Sequence, residues 1–195
     1  NRLFLFTLLG LFLMINQGVA QKKAITVADI WQDYKFTGKS VPGFNFLNDG
    51  KHYTRLEDNT IKQYDLVSGQ FVDIIFATSE IEETANFPEK FDSYTFNADE
   101  TKILLETAKE SIYRRSSKAN YYVWDIAAKT ITELFEKGKQ SYATFSPDAD
   151  KVAFVVNNDL FIKNLENGDI TQVTNDGRFN YIINGGADWV YEEEF

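Results

Sequence analysis

One motif recurs at nearly fixed spacing and restricts the fold more than any other feature of the chain. An aromatic residue followed by a polar turn appears as Phe46-Leu47-Asn48-Asp49-Gly50, as Phe96-Asn97-Ala98-Asp99-Glu100 and as Phe145-Ser146-Pro147-Asp148-Ala149-Asp150, with the phenylalanines 50 and 49 residues apart. Each copy is followed by three short runs rich in β-branched and aromatic residues, which is strand composition. The runs are residues 52–56, 60–66 and 70–76 in the first copy, 102–107, 121–126 and 130–135 in the second, and 151–156, 160–165 and 169–174 in the third. Polar turn residues such as Asn157-Asn158-Asp159 and Asn167-Gly168 separate them.

About four short strands per unit of roughly 40–50 residues is the pattern of a β-propeller blade. Helical solenoids need a 3.6-residue apolar period, which is missing here. A β-sandwich has no reason to repeat the aromatic-turn anchor at fixed spacing. The middle strands end in Tyr64-Asp65, Trp124-Asp125 and Lys163-Asn164, a loose form of the Trp-Asp ending of propeller repeats, and these positions read as structural. The fold class is therefore all-β, a partial β-propeller. One short helix is expected near its start, where Thr26-Val27-Ala28-Asp29 has N-cap chemistry and leads into Ile30 and Trp31, with an end at about Asp33.

The chain opens with Arg2, the apolar run LFLFTLLGLFLMI at residues 3–15, and Gly18-Val19-Ala20, with small residues at the two positions a signal peptidase reads. Thirteen helical residues reach about 20 Å, short of the roughly 30 Å hydrocarbon core, so a cleaved secretory signal helix over 1–20 is favoured over a permanent anchor. Lys22-Lys23 keeps an uncleaved membrane tether open as an alternative. The expected division is a signal peptide at 1–20 and propeller at 21–195, with export to the periplasm or cell envelope. The first residue is Asn, and the last one, Phe195, stands directly behind three glutamates, which reads as a fragment of a longer protein.

Composition removes several function classes. Twenty Lys and Arg against 29 Asp and Glu give a net charge of −9, so no basic surface is available to displace counterions from nucleic acid. There is no cysteine, and His52 is the single histidine. Thiol chemistry, disulfides and thiolate metal sites are excluded, and a His-dependent centre has one candidate. His52 lies beside Lys51 and Tyr53 in a strand and reads as structural. Asp148 and Asp150 lack the Gly and distal Glu of a calcium loop and read as turn formers. No metal site and no cofactor are expected.

Two segments stand apart from the repeat. ESIYRRSSKAN, residues 110–120, lengthens the second copy as a polar hairpin with Arg114-Arg115 near its tip, and insertions of this kind commonly carry binding groups. The second segment is Asp188-Trp189-Val190-Tyr191-Glu192-Glu193-Glu194-Phe195. A run of charge is usually a solvated face. Here, large apolar side chains flank the acids and draw them toward an interior or cleft.

DWVYEEEF, together with YRRSSKANYYVWD and the propeller repeats, resembles the N-terminal part of the dipeptidyl peptidase IV family of prolyl-oligopeptidase-type serine exopeptidases. The likeness spans essentially the whole chain after residue 20. It implies the first blades of an eight-bladed propeller, which such proteins join to an α/β-hydrolase domain and use to release N-terminal dipeptides with Pro or Ala in second place. By motif position, Glu193 and Glu194 are the implied ligands of the substrate's α-ammonium, and Arg114, behind Tyr113, is the implied ligand of the carbonyl between the first two residues. Arg115 has no implied role. The resemblance also implies a homodimer for the intact protein.

The residue types suit those roles. An ammonium has three donors, and charge-assisted bonds to carboxylates are worth about 1.5–3 kcal/mol each, so two acids can hold a free N-terminus and measure its distance from the scissile bond. Repulsion between neighbouring glutamates predicts a raised carboxyl pKa for at least one of them. In a regular strand Glu193 and Glu194 would face opposite ways, so a shared ligand requires a helical turn or bulge, with Asp188 as its cap. No Gly-x-Ser-x-Gly elbow and no second histidine occur in these 195 residues, so none of the catalytic residues is expected within them. Two rival readings share the pattern: a relative that releases tripeptides, and a non-catalytic periplasmic propeller that binds a protein partner.

Overall fold

The computed structural model describes residues 24–38, 40, 43–81 and 86–194. The signal segment expected at 1–20 lies outside them. Two compact units divide between residues 41 and 42. The first contains one short helix, α1 (Val27–Trp31), opened by a reciprocal capping box: Thr26 Oγ1 accepts from the Asp29 N–H, and Asp29 accepts from the Thr26 N–H. It ends two residues before the expected Asp33, whose N–H still bonds Ala28.

The second unit consists of three four-stranded antiparallel sheets, each a meander in chain order. Sheet one is β1 (Asn45–Phe46), β2 (His52–Glu57), β3 (Thr60–Asp65) and β4 (Phe71–Ala77). Sheet two is β5 (Ser93–Phe96), β6 (Lys102–Ser111), β7 (Ser117–Asp125) and β8 (Thr130–Glu133). Sheet three is β9 (Ser141–Phe145), β10 (Lys151–Val156), β11 (Asp159–Asn164) and β12 (Ile170–Gln172). These are propeller blades, in the positions the repeat predicts. The main difference is that β6 and β7 extend beyond the expected runs toward the tip of the inserted hairpin.

Repeated turn chemistry repeats the blade. The three anchor turns close through Gly50, Glu100 and Ala149, all in the left-handed region, with φ of 65°, 55° and 59°. Only the first uses the residue that adopts this conformation without strain. Asp65, Asp125 and Asn164, at equivalent strand ends, each turn a side-chain oxygen back onto main-chain N–H groups two or three residues ahead. That is the physical reason for an Asp or Asn at the end of the middle strand.

The blades are held face to face by apolar packing. In β6, Ile103 and Leu105 join Tyr122 and Trp124 of β7 against Ile61 and Phe76 of sheet one. Leu104 and Val123, pointing the other way, pack on Leu134, Val152, Phe154 and Val156. Because side chains alternate across a strand, a blade covered on both faces is apolar at consecutive positions, and Ile103-Leu104-Leu105 are all buried. Each such side chain stabilises by about 1.5–3 kcal/mol relative to exposure.

Buried polar links add register. Gln140, fully buried, accepts from the Tyr121 N–H at 3.1 Å and donates to the Phe135 carbonyl at 3.1 Å. Its main chain pairs with Ala119 in both directions, at 2.9 and 2.8 Å. Ala119 is available because the β7–β8 ladder ends at Tyr122 and Glu133, leaving that edge of β7 open. The inserted hairpin is thereby tied to the blade that follows.

Candidate functional site

The acidic segment forms a helix, α2 (Trp189–Glu194). Its start is set as the sequence suggests: Asp188 Oδ1 accepts from the N–H groups of Val190 at 2.9 Å and Tyr191 at 3.2 Å, the N-cap arrangement. What carries α2 to the hairpin is the irregular stretch between β12 and α2. Asp159 Oδ1 gathers Thr174 Oγ1 and the Gly177 N–H, both at 2.9 Å, folding the chain back over the β10–β11 turn. A Cβ at Gly177 would stand 2.6 Å from the Asn158 carbonyl oxygen, so no other residue fits that approach.

The structure brings Arg114, Glu193 and Glu194 together, although nearly 80 residues separate the arginine from the acids. Arg114 Nη2 donates to the Glu193 carbonyl oxygen and lies 3.4 Å from Glu194 Oε1. The two acids differ sharply. Glu193 is 3% exposed, whereas the Glu194 side chain is 54% exposed. Glu193 Oε1 accepts from the Ser116 N–H at 2.9 Å and hydroxyl at 2.8 Å, and Oε2 accepts from the Arg115 N–H at 2.9 Å. A carboxylate offers about four acceptor positions, so Oε2 keeps one for a further donor.

These contacts set the direction of one pKa. Burial alone pushes the Glu193 carboxyl up, but the Ser116 and Arg115 donors and the Arg114 charge outweigh it and hold the group below the usual glutamate range. Glu193 is thus held ionised, because fixed N–H dipoles stabilise its charge and outweigh repulsion from the neighbouring acids at this residue.

Glu192 faces a different way and accepts from the Tyr142 hydroxyl at 2.5 Å. Burial, and the carboxylates of Glu192 and then Glu193, push the Tyr142 phenol well above its ordinary value. The Tyr113 and Trp189 rings meet edge to face at 6.4 Å, packing hairpin tip on helix. A hollow of about 550 Å³ lies on this side, walled by Tyr113, Tyr142, Phe179, Ile183 and Trp189, with Glu192 as its carboxylate. Arg114, Glu193 and Glu194 are not on its wall. A slightly larger hollow, about 630 Å³, lies away from all of them, against Phe135, Phe161 and Lys163.

Among the described residues no group of three or more His, Asp or Glu is arranged to hold a metal ion. His52 Nδ1 pairs with Asp49 at 2.5 Å inside an anchor turn, and Asp148 accepts from Ser146 in another. Two participants were not singled out by sequence reasoning. Ser116 lies in the YRRSSKAN segment, two residues after Arg114, and was legible there. Tyr142 carried no signal.

A family model described as the dipeptidyl peptidase IV (DPP IV) N-terminal region matches residues 97–195, a stretch that contains both the hairpin and α2. The chain belongs to the dipeptidyl peptidase IV family. Dipeptidyl peptidase 4 of Felis catus is 34% identical over 143 residues, covering 73% of this chain and 18% of the relative. Dipeptidyl peptidase 4 of Trichophyton rubrum is 31% identical over 157 residues, 80% of this chain and 19% of the relative. The crystal structure of Porphyromonas gingivalis dipeptidyl peptidase 4 superposes with a TM-score of 0.78 at 36% identity, covering 88% of this chain and 25% of that one. The chain thus spans about a fifth of the length of the curated dipeptidyl peptidases it matches. The blades described above are those of a dipeptidyl peptidase IV N-terminal propeller.

Proposed function

We propose that this chain is the substrate-anchoring propeller portion of an exported serine exopeptidase that releases N-terminal dipeptides, with Pro or Ala preferred in second place. Glu194 offers its carboxylate and Glu193 its remaining Oε2 position to the substrate's α-ammonium, while the exposed part of the Arg114 guanidinium binds the first peptide carbonyl. The serine nucleophile, with its Asp and His, belongs to an α/β-hydrolase domain outside these residues. Anchoring the free N-terminus at a fixed distance from that serine sets which bond is attacked. The apolar run at residues 3–15 supports export to the periplasm or cell envelope.

The observation that supports this reading best is the convergence of Arg114, Glu193 and Glu194 at one place, with Glu193 charged in advance. The test uses the intact enzyme and matched peptides with free and acetylated N-termini. Acetylation removes the cation and should lower kcat/KM by about 100-fold or more. Equal cleavage of both would remove the anchoring role. Mass spectrometry of the released product distinguishes dipeptides from tripeptides.

A further inference from the structure

β9 carries an irregularity that the blade itself does not require. Its register with β10 runs Val152 to Phe145 and Ala153 to Thr144, then resumes at Val155 to Ser141, so Tyr142 and Ala143 together face a single residue of β10. This is a β-bulge, and Tyr142 within it has a φ of 57°, rare for a residue with a ring. Bulges re-aim side chains. Here the Tyr142 ring leaves the strand and lies against Gly186, where a Cβ would come within 2.8 Å of it, and its hydroxyl reaches Glu192. The local chain on both sides is fitted to that contact.

We propose that Tyr142 is a positioning residue for peptide anchoring: the bulge aims its hydroxyl at Glu192, so that sheet three holds one carboxylate of α2 while sheet two holds the next. Ser116 and Arg115 fix Glu193 from the hairpin, and Tyr142 fixes Glu192 from β9. Two successive residues gripped from different blades fix the rotation of a helix only six residues long. With that rotation set, Glu194 faces Arg114 and remains the exposed acid. The three glutamates therefore divide the work: Glu192 and Glu193 orient the helix, and Glu193 and Glu194 turn to the ligand. This rests on the anchoring role proposed above.

Tyr142→Phe in the intact enzyme removes only the hydroxyl. With a free-amine dipeptidyl chromogenic substrate, KM should rise about 5- to 20-fold with kcat changed less than about 2-fold, a fraction of one charge-assisted hydrogen bond. Inactivation by diisopropyl fluorophosphate, which has no amine to anchor, should proceed at the wild-type rate. Adding Glu192→Ala should cause little further loss, because both changes break the same contact. Wild-type KM in Tyr142→Phe, or full additivity with Glu192→Ala, would overturn the proposal. A parallel loss toward the fluorophosphate would reduce Tyr142 to a general structural role and also overturn it. If the wild-type enzyme cleaves acetylated peptides equally well, the anchoring reading falls and takes this inference with it. If only the Tyr142→Phe result fails, anchoring stands.

Discussion

Ser116 grips one oxygen of Glu193 twice, with its main-chain N–H at 2.9 Å and its hydroxyl at 2.8 Å. A hairpin tip in the second blade and a helix following the third are thereby made one rigid unit. Arg114 occupies its place over α2 because its two successors in sequence are pinned to the acid beneath it.

Removing the acceptor charge should therefore do more than remove one ligand. Glu193→Gln keeps the size but sets an amide N–H₂ against one of the donors of Arg115 and Ser116. In the intact enzyme kcat/KM for free-amine substrates should fall about 10- to 100-fold, with Ser116→Ala giving a smaller loss in the same direction. Steady-state kinetics on both variants checks the order.

Arg115 contributes its N–H rather than its side chain to this contact. Arg115→Pro deletes that donor and should impair anchoring severely, whereas Arg115→Ala retains it and should lose far less. Comparing KM values for the pair tests whether the main chain is what matters.

Glu194 is the exposed acid, so its contribution should be the one most sensitive to salt. Glu194→Gln should raise KM for free-amine peptides about tenfold or more at low ionic strength, and the gap to wild type should narrow as salt screens the charge. A KM series from low to high salt for both proteins reads this directly.

The depressed Glu193 pKa makes a signed prediction for pH. A carboxyl that titrates lower in the folded protein than in the unfolded chain contributes fully above the ordinary glutamate range. That contribution disappears as pH falls through the folded value. Docking of hairpin on α2 should accordingly persist through neutral and mildly acid conditions and fail only below the usual glutamate range. Fluorescence of Trp189, which packs on Tyr113, should report the transition in the intact protein, with the Trp189→Phe variant giving the signal of all other tryptophans for subtraction.

Blade-to-blade packing sets the stability of the unit. Phe154, 1% exposed and flanked by Phe135 and Phe161, should cost about 3–5 kcal/mol when replaced by Ala. Residues 21–195 produced alone should self-associate, because Phe71, Val72 and Ile74 of β4 are left 45–55% exposed. Denaturant melts of the intact protein and light scattering of the isolated segment are the respective measurements.

The sequence alone determined the blades. Aromatic anchors, alternating and continuous apolar runs, and Asp or Asn at strand ends are local signals, because turn geometry and side-chain alternation are fixed within a few residues. Thr26 and Asp29 specified α1 in the same way, and Asp188 the start of α2. The tertiary structure alone decided how the site is divided. Nothing within the run Glu192-Glu193-Glu194 distinguishes its members; Ser116 and Arg115, over 75 residues away, bury one, and Tyr142, 50 residues away, holds another. The bulge that aims Tyr142 has no sequence signature either, since it depends on the register of β9 against β10. The roles of those acids, and the direction in which the Glu193 pKa shifts, follow from donors the chain supplies only once the blades are stacked.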